Sequence, residues 1–457
     1  MFYQGTMPQD SVSVTVDGAK SPNSMTFVAD DTAYTLSGDQ ITTTEGITVS
    51  SAEPVVISNK LVVGGSVVLN AGTELTLATN EVSLASGALS GSGTLVLDPG
   101  EGNAFTMSTA NTSYTGEAVI ASGTVKMGNV TSFGAIGRTS VIRVKNNATL
   151  LVHPDCANDD EGERNSLVLE YGAKYTSTGY LDYGAYLMTK LTLEGDASIA
   201  AEQANVAVAK KYFDPIEIAL GEHTLTKTGM NTLCIAAATI NGAGKIDVEE
   251  GYLRLYNGYW YGPNNVCKFL EGTLRIGVGA QLQLCRYAAI GTQKDAWDAN
   301  ENKYSLLTVN RLELDGIVTR DDDSVTTITV NGLVTGCGTT PVLILGKNAV
   351  FKPTGKGYLT ITESLTLPTN TVGEEEDAEE VPYMVIDLTD ALASNTTVIP
   401  LFKVGSAENL PDAENIGFVY PGQEVPFQTL PKGWTLSKTS GGRGYKLSKG
   451  NFSIHLR

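Results

Sequence analysis

No run of this sequence approaches the roughly 20 apolar residues that a membrane-crossing helix needs, and the 3.6-residue apolar period of amphipathic helices is nearly absent. These absences exclude a helical membrane protein and a helix bundle. The segment after residue 385 is too short for even an eight-stranded outer-membrane barrel, so the chain is expected not to insert itself in a membrane. Basic clusters are missing as well. The 31 Lys and Arg face 50 Asp and Glu, for a net charge of -19, which excludes nucleic acid and anionic lipid as expected partners because both recruit grouped cations. The five cysteines, Cys156, Cys234, Cys267, Cys285 and Cys337, form no CxxC pair and are odd in number, so neither a zinc site nor a disulfide framework is indicated. Buried free thiols are expected for most of them, although a secreted chain could oxidise one pair that the spacings do not nominate. The three histidines, His153, His223 and His455, share no motif, which argues against a His-dependent triad or metal site. The start, Met1-Phe2-Tyr3-Gln4-Gly5, has neither the basic nor the apolar region of a signal peptide; the expectation is a truncated chain or an export route not visible here.

What is present is 49 Gly, with only 16 Pro, among short Val, Leu, Ile and Thr runs, the profile of an all-β chain. A short unit recurs: Gly, a small or polar residue, then alternating apolar and polar positions. It reads Gly72-Thr73-Glu74-Leu75-Thr76-Leu77, Gly93-Thr94-Leu95-Val96-Leu97 and Gly123-Thr124-Val125-Lys126-Met127, then Gly251-Tyr252-Leu253-Arg254-Leu255, Gly272-Thr273-Leu274-Arg275-Ile276 and, more loosely, Gly357-Tyr358-Leu359-Thr360-Ile361. Thr73 to Thr94 is 21 residues, and so is Tyr252 to Thr273. A short strand with one apolar face cannot bury that face alone and must stack on the next copy, so coils of about 20 to 25 residues are expected. The fold class is therefore read as all-β, a right-handed parallel β-helix (β-solenoid) with a small C-terminal cap region. About sixteen coils would give a rod of roughly 75 Å. Asp17-Gly18, Asn241-Gly242, Asn257-Gly258, Asp315-Gly316 and Asn331-Gly332 would supply positive φ angles at corners. In the competing fold, an antiparallel β-sandwich array, the same pairs would make hairpin turns.

The boundaries follow composition. Residues 1–30 are read as an N-terminal cap or edge segment and 31–370 as the parallel β-helix. The like-charged block at 371–380 is read as an acidic disordered loop, and 381–457 as the C-terminal capping segment, with a short helical turn near Thr389 to Ala393 and a dense apolar run from Val398 to Val404. Caps are needed because an open β end would polymerise through its free backbone donors and acceptors.

Leu225-Thr226-Lys227-Thr228-Gly229-Met230-Asn231-Thr232-Leu233-Cys234-Ile235 resembles the repeat of bacterial autotransporter passenger domains, L-x-K-x-G-x-G-T-L-x-L. Asn231 stands where that family has Gly, and Cys234 occupies a position read as outward. Asn111-Thr112-Ser113-Tyr114-Thr115-Gly116 is similar to the N-T-Y-x-G element of the same family, and Leu430-Pro431-Lys432-Gly433-Trp434-Thr435-Leu436 with Gly444-Tyr445-Lys446-Leu447 resembles its closing segment. The matches cover about a quarter of the chain and are low in complexity. The resemblance implies a β-helix and relatives that are displayed or secreted, often adhesive; the translocating barrel of such proteins is missing from this sequence.

Several constellations are candidates for chemistry. If the Gly251 and Gly272 units stack in register, Arg254 lies over Arg275 and Glu250 over Glu271, forming either an anion-binding strip for uronates or an ion-pair ladder on the surface. The ladder is the reading preferred. Tyr252, Tyr256, Tyr259, Trp260 and Tyr261, and separately Tyr171, Tyr175, Tyr180, Tyr183 and Tyr186, would suit stacking on sugar rings or packing over loops. Arg320-Asp321-Asp322-Asp323 places carboxylates beside a base, but three consecutive aspartates in a loop point in different directions, as in a solvated turn. The acidic insertions Asp155 to Glu163 and Asp295 to Glu301 have oxygen ligands for calcium without the spacing of a calcium loop. The reading adopted is a secreted or surface-displayed structural and adhesive module, extracellular or on a bacterial cell surface, with glycans or a host-cell partner as ligands. Arg254, Arg275, Tyr256, Tyr259, Trp260 and Tyr261 are the binding residues nominated. No catalytic residue, metal ligand or cofactor is nominated. The alternatives are a polysaccharide-active β-helix enzyme, lyase or glycoside hydrolase, and a stalk without ligand.

Overall fold

The computed structural model describes residues 11–28, 31–85, 87–129, 131–134, 140–153, 165–178, 188–208, 216–236, 238–257, 267–286, 304–320, 325–372, 379–394, 396–422 and 430–450. The chain divides into two compact units, Met1–Cys234 and Ile235–Arg457. Both are parallel β-helices, built of short strands that pair with a strand one coil further along the chain.

In the first unit, one ladder runs through Ser11–Val16, Ala33–Gly38, Val55–Ile57, Glu74–Leu77, Thr94–Leu97, Glu117–Ile120, Val141–Val144, Ser166–Leu169, Lys190–Leu193 and Ile216–Ala219, every step parallel. Its alternation turns one side chain in two toward the interior. Register then builds a continuous aliphatic column, Leu36, Ile57, Leu77, Leu97, Ile120, Val144, Leu169 and Leu193, every member of which is buried. A second ladder holds Ile41–Thr43, Leu61–Val63 and Val82–Leu84. Another ladder runs through Ala104–Met107, Thr124–Met127, Thr149–Val152, Lys174–Ser177, Ala197–Ala200 and Thr224–Thr228. A further one holds Ser24–Phe27, Gly46–Val49, Ser66–Leu69, Leu89–Gly91 and Ser113–Tyr114. Each buried Leu or Ile contributes about 1.5–3 kcal/mol relative to exposure, so the columns are the main source of cohesion between coils.

The second unit repeats the plan. Ile246, Leu274, Leu312, Val334, Phe351, Ile386 and Phe418 form one inward column, buried throughout. A neighbouring ladder holds Tyr252–Asn257, Gln281–Arg286, Ile317–Arg320, Thr339–Leu345, Leu359–Thr366 and Val398–Val404, again parallel. Direction reverses only at its last member. Val398–Val404 takes Gly444–Lys449 antiparallel along its other edge, and Trp434–Lys438 completes that hairpin. Phe402 stacks edge-on to Phe351 at 6.4 Å and to Tyr445 at 5.9 Å, and the Tyr445 hydroxyl donates to Pro411 O at 2.9 Å. The short helix Thr389–Ala393 lies where the sequence placed a helical turn.

Three boundaries move. Among the described residues coiling is already present at Ser11, ahead of residue 31, because Val12, Val14 and Val16 supply the alternation a strand needs. It continues past residue 370, since Met384–Asp387 and Ile416–Val419 pair in parallel with the coils before them. Four residues at the margins of the acidic block are ordered: Thr371 pairs with Glu380 and Val372 with Glu379 in an antiparallel hairpin; residues 373–378 lie outside the described set. Among the described residues, no helix is long and apolar enough to cross a membrane.

Candidate functional site

The two nominated arginines do not stack. Arg254 pairs across its ladder with Gln283, and Arg275 pairs with Asp247. The Gly251 and Gly272 units belong to different ladders of the coil, and a coil here advances 28 or 29 residues, for example from Asp247 to Arg275 or from Arg254 to Gln283. A 21-residue spacing therefore carries the motif from one face to another, and the same argument separates Glu250 from Glu271. The earlier units come closer to register, with Thr94 opposite Glu74 rather than Thr73. The pattern misleads because every strand, on any face, needs the same Gly corner and the same alternation.

Charge ladders nevertheless exist. Asp247, Arg275, Glu313, Thr335 and Lys352 are successive partners on one outward column. Arg275 Nη1 lies 2.5 Å from Asp247 Oδ1, Lys245 Nζ lies 3.0 Å from Asp247 Oδ2, and Lys352 Nζ reaches Asp390 at 2.7 Å and Asp387 at 3.8 Å. The hydrogen bond to Asp247 raises the Arg275 pKa, and that to Asp390 raises the Lys352 pKa. Arg254 Nε donates to Gln283 Oε1 at 2.7 Å. In the first unit Arg143 gathers three carboxylates from other coils, Glu117 at 2.8 Å, Glu170 at 3.4 Å and Glu194 at 2.5 Å. Burial opposes its charge, but the bonds to Glu117 and Glu194 outweigh that and raise its pKa. Alternating or convergent charge of this kind ties coils together and engages Arg143 and Arg275 with carboxylates of neighbouring coils.

Motif residues of the family resemblance prove to be internal fasteners. Asn111 is buried; its Oδ1 accepts the Leu89 N–H at 3.1 Å and its Nδ2 donates to Ser132 O at 2.9 Å. Tyr114 is wholly buried, accepts the Leu95 N–H at 3.2 Å and donates to Glu117 O at 2.6 Å. Burial is the largest cause of its raised pKa. Gly116 is required by close approach, since a Cβ there would collide with Gly93 O and the Tyr114 ring. Lys227 follows Ile199 on the inward column Phe105, Val125, Leu150, Tyr175, Ile199, is fully buried, and donates to Gly229 O. Cys234 is buried, as expected for a free thiol.

Of the aromatic residues, Tyr252 and Tyr171 are exposed and Tyr175 is core. Tyr256 sits on Tyr252–Asn257, its side chain outside the described set. Tyr259, Trp260, Tyr261, Tyr180, Tyr183, Tyr186, Asp321 to Asp323 and both acidic insertions also lie outside the described residues. Cys234, Cys267 and Cys337 are free thiols. Among the described residues, no group of three or more His, Cys, Asp or Glu is placed to hold a metal ion.

Two features went unread in the sequence. First, between Val152 and Tyr304 the long connections recur at one step of the coil. In the first unit they precede Ser166–Leu169, Lys190–Leu193 and Ile216–Ala219, successive members of the first ladder; in the second they precede Lys268–Phe269 and Tyr304–Leu314, which pair with each other. The nominated Tyr259, Trp260, Tyr261, Asp155 to Glu163 and Asp295 to Glu301 all belong to these connections. Second, a pocket of about 300 Å³ opens between the helix Thr389–Ala393 and the final hairpin, lined by Leu392, Ser394, Thr396, Pro431, Trp434 and Lys449. Trp434 and Lys449 are directly opposite partners on the hairpin. A local signal existed: residues 430–450 carry Lys432, Lys438, Arg443, Lys446 and Lys449 with no acid, in a chain of net charge -19. Comparison with protein-family models, curated proteins and solved structures finds no match.

Proposed function

We propose that this chain is a structural and adhesive β-helix module, secreted or displayed at a bacterial surface, with glycans or a cell-surface partner as its ligands. The supporting observation is the repeated placement of long connections at one step of the coil between residues 152 and 304. In repeat proteins such insertions collect on one face, which is commonly the binding face. The strand faces between them are occupied by self-satisfied charge pairs, such as Arg143 with Glu117, Glu170 and Glu194, so the coils supply the support and the connections the variation. Kinship with autotransporter passengers belongs to the same proposal, and the internal roles of Asn111, Tyr114 and Lys227 make that resemblance a statement about coiling.

Purified protein screened on a glycan array, and in parallel incubated with acidic polysaccharides, tests this reading. Binding to a subset of glycans without release of reducing or unsaturated ends is expected. Release of such ends would establish the enzyme instead, and an absence of binding to any glycan or cell would reduce the chain to a stalk.

A further inference from the structure

We propose that the pocket at the C-terminal end of the second unit binds a carboxylated sugar, a uronate residue. The assignment rests on the glycan-binding reading above and gives it a site and a ligand class. At about 300 Å³ the pocket lies at the small end of ligand cavities, a size for one or two sugar rings. Its composition matches that chemistry. Trp434 offers an amphipathic ring on which the C–H face of a pyranose stacks. Ser394, whose hydroxyl donates to Ala391 O at 2.6 Å, and Thr396 offer oxygens 2.8 Å from each other that can accept from sugar hydroxyls.

The charge specifies the acid. Lys449 stands directly across the hairpin from Trp434 and makes no ion pair among the described residues. The hairpin that carries it is cationic in sequence, since no Asp or Glu occurs between residues 430 and 450. The helix that forms the other wall has one acid in its first turn, Asp390, which is engaged by Lys352 at 2.7 Å. A chain with 50 acidic residues thus keeps one hairpin free of them, where an anion would otherwise be repelled. The apolar wall, Leu392 and Pro431, disfavours small hydrated anions and favours an anion carried on a ring.

Isothermal titration calorimetry of the full chain with tetragalacturonate, and with uncharged galactotetraose, tests the proposal. The expected result is one site for tetragalacturonate, at least tenfold tighter than for the neutral oligosaccharide and weakened by salt. Lys449→Gln, a change at an exposed position, should remove that preference, and Trp434→Phe should weaken both interactions several-fold, each without a change in melting temperature. Equal heats for wild type and Lys449→Gln, or no heat with tetragalacturonate, overturn the pocket. The two readings fail separately. Glycan-array binding that survives alongside such calorimetry leaves the adhesive module standing, whereas an array without any binding removes the glycan role itself.

Discussion

Replacing Tyr114 by Phe removes one oxygen and keeps the ring that fills the corner, so it isolates the hydroxyl's work. The Leu95 N–H and Glu117 O would each lose a buried partner, and a loss of about 1–3 kcal/mol in urea unfolding is expected. Its pH signature is specific. The folded pKa of Tyr114 is raised by burial, so the fold favours the neutral phenol. That contribution is whole below the unfolded tyrosine value of about 10 and is lost as pH rises toward the folded value. Tyr114→Phe should therefore flatten the alkaline limb of a stability profile above pH 10, and an unchanged limb would contradict the assignment. Cys337 obeys the same sign. Burial first, then Asp315, raises its thiol, so its alkylation by iodoacetamide at pH 8 should lag that of a model thiol, and Asp315→Asn should speed it.

Strands and corners were readable to different depths. The alternation in Glu74–Leu77 and Thr124–Met127 identifies both as strands with one buried face, and the helical turn at Thr389–Ala393 was also legible. Register was not. Gly251 and Gly272 open strands that look alike and belong to different ladders, because the pattern encodes a pleat and a corner but not a face. Corner glycines divide likewise: Gly18 and Gly242 take positive φ, while Gly316 and Gly332 are held by close backbone approach instead. The pocket was illegible because Leu392 and Trp434 are far apart in sequence and meet only through pairing of the last hairpin. That hairpin has a mechanical role of its own. Truncation after residue 422 would bare the outer edge of Val398–Val404 and remove the Tyr445 ring from Phe402. Self-association in light scattering is the expected outcome; a monodisperse truncated chain would deny the hairpin its capping role.

At the scale of the coils, cohesion comes from columns in which each residue touches its counterpart above and below. Leu97→Ala, in the middle of such a column, should cost about 2–5 kcal/mol, whereas the exposed Lys449→Gln should cost almost nothing. The most direct measurement of stacking itself uses spin labels at Thr35, Thr76 and Thr192, outward positions on one column that runs Thr35, Val56, Thr76, Val96, Val119, Arg143, Val168, Thr192. Double electron–electron resonance should give separations that grow with the number of coils between labels, about 10, 24 and 34 Å along the backbone for the pairs 35/76, 76/192 and 35/192. Distances that fail to add in this way would show that the coils do not stack in register.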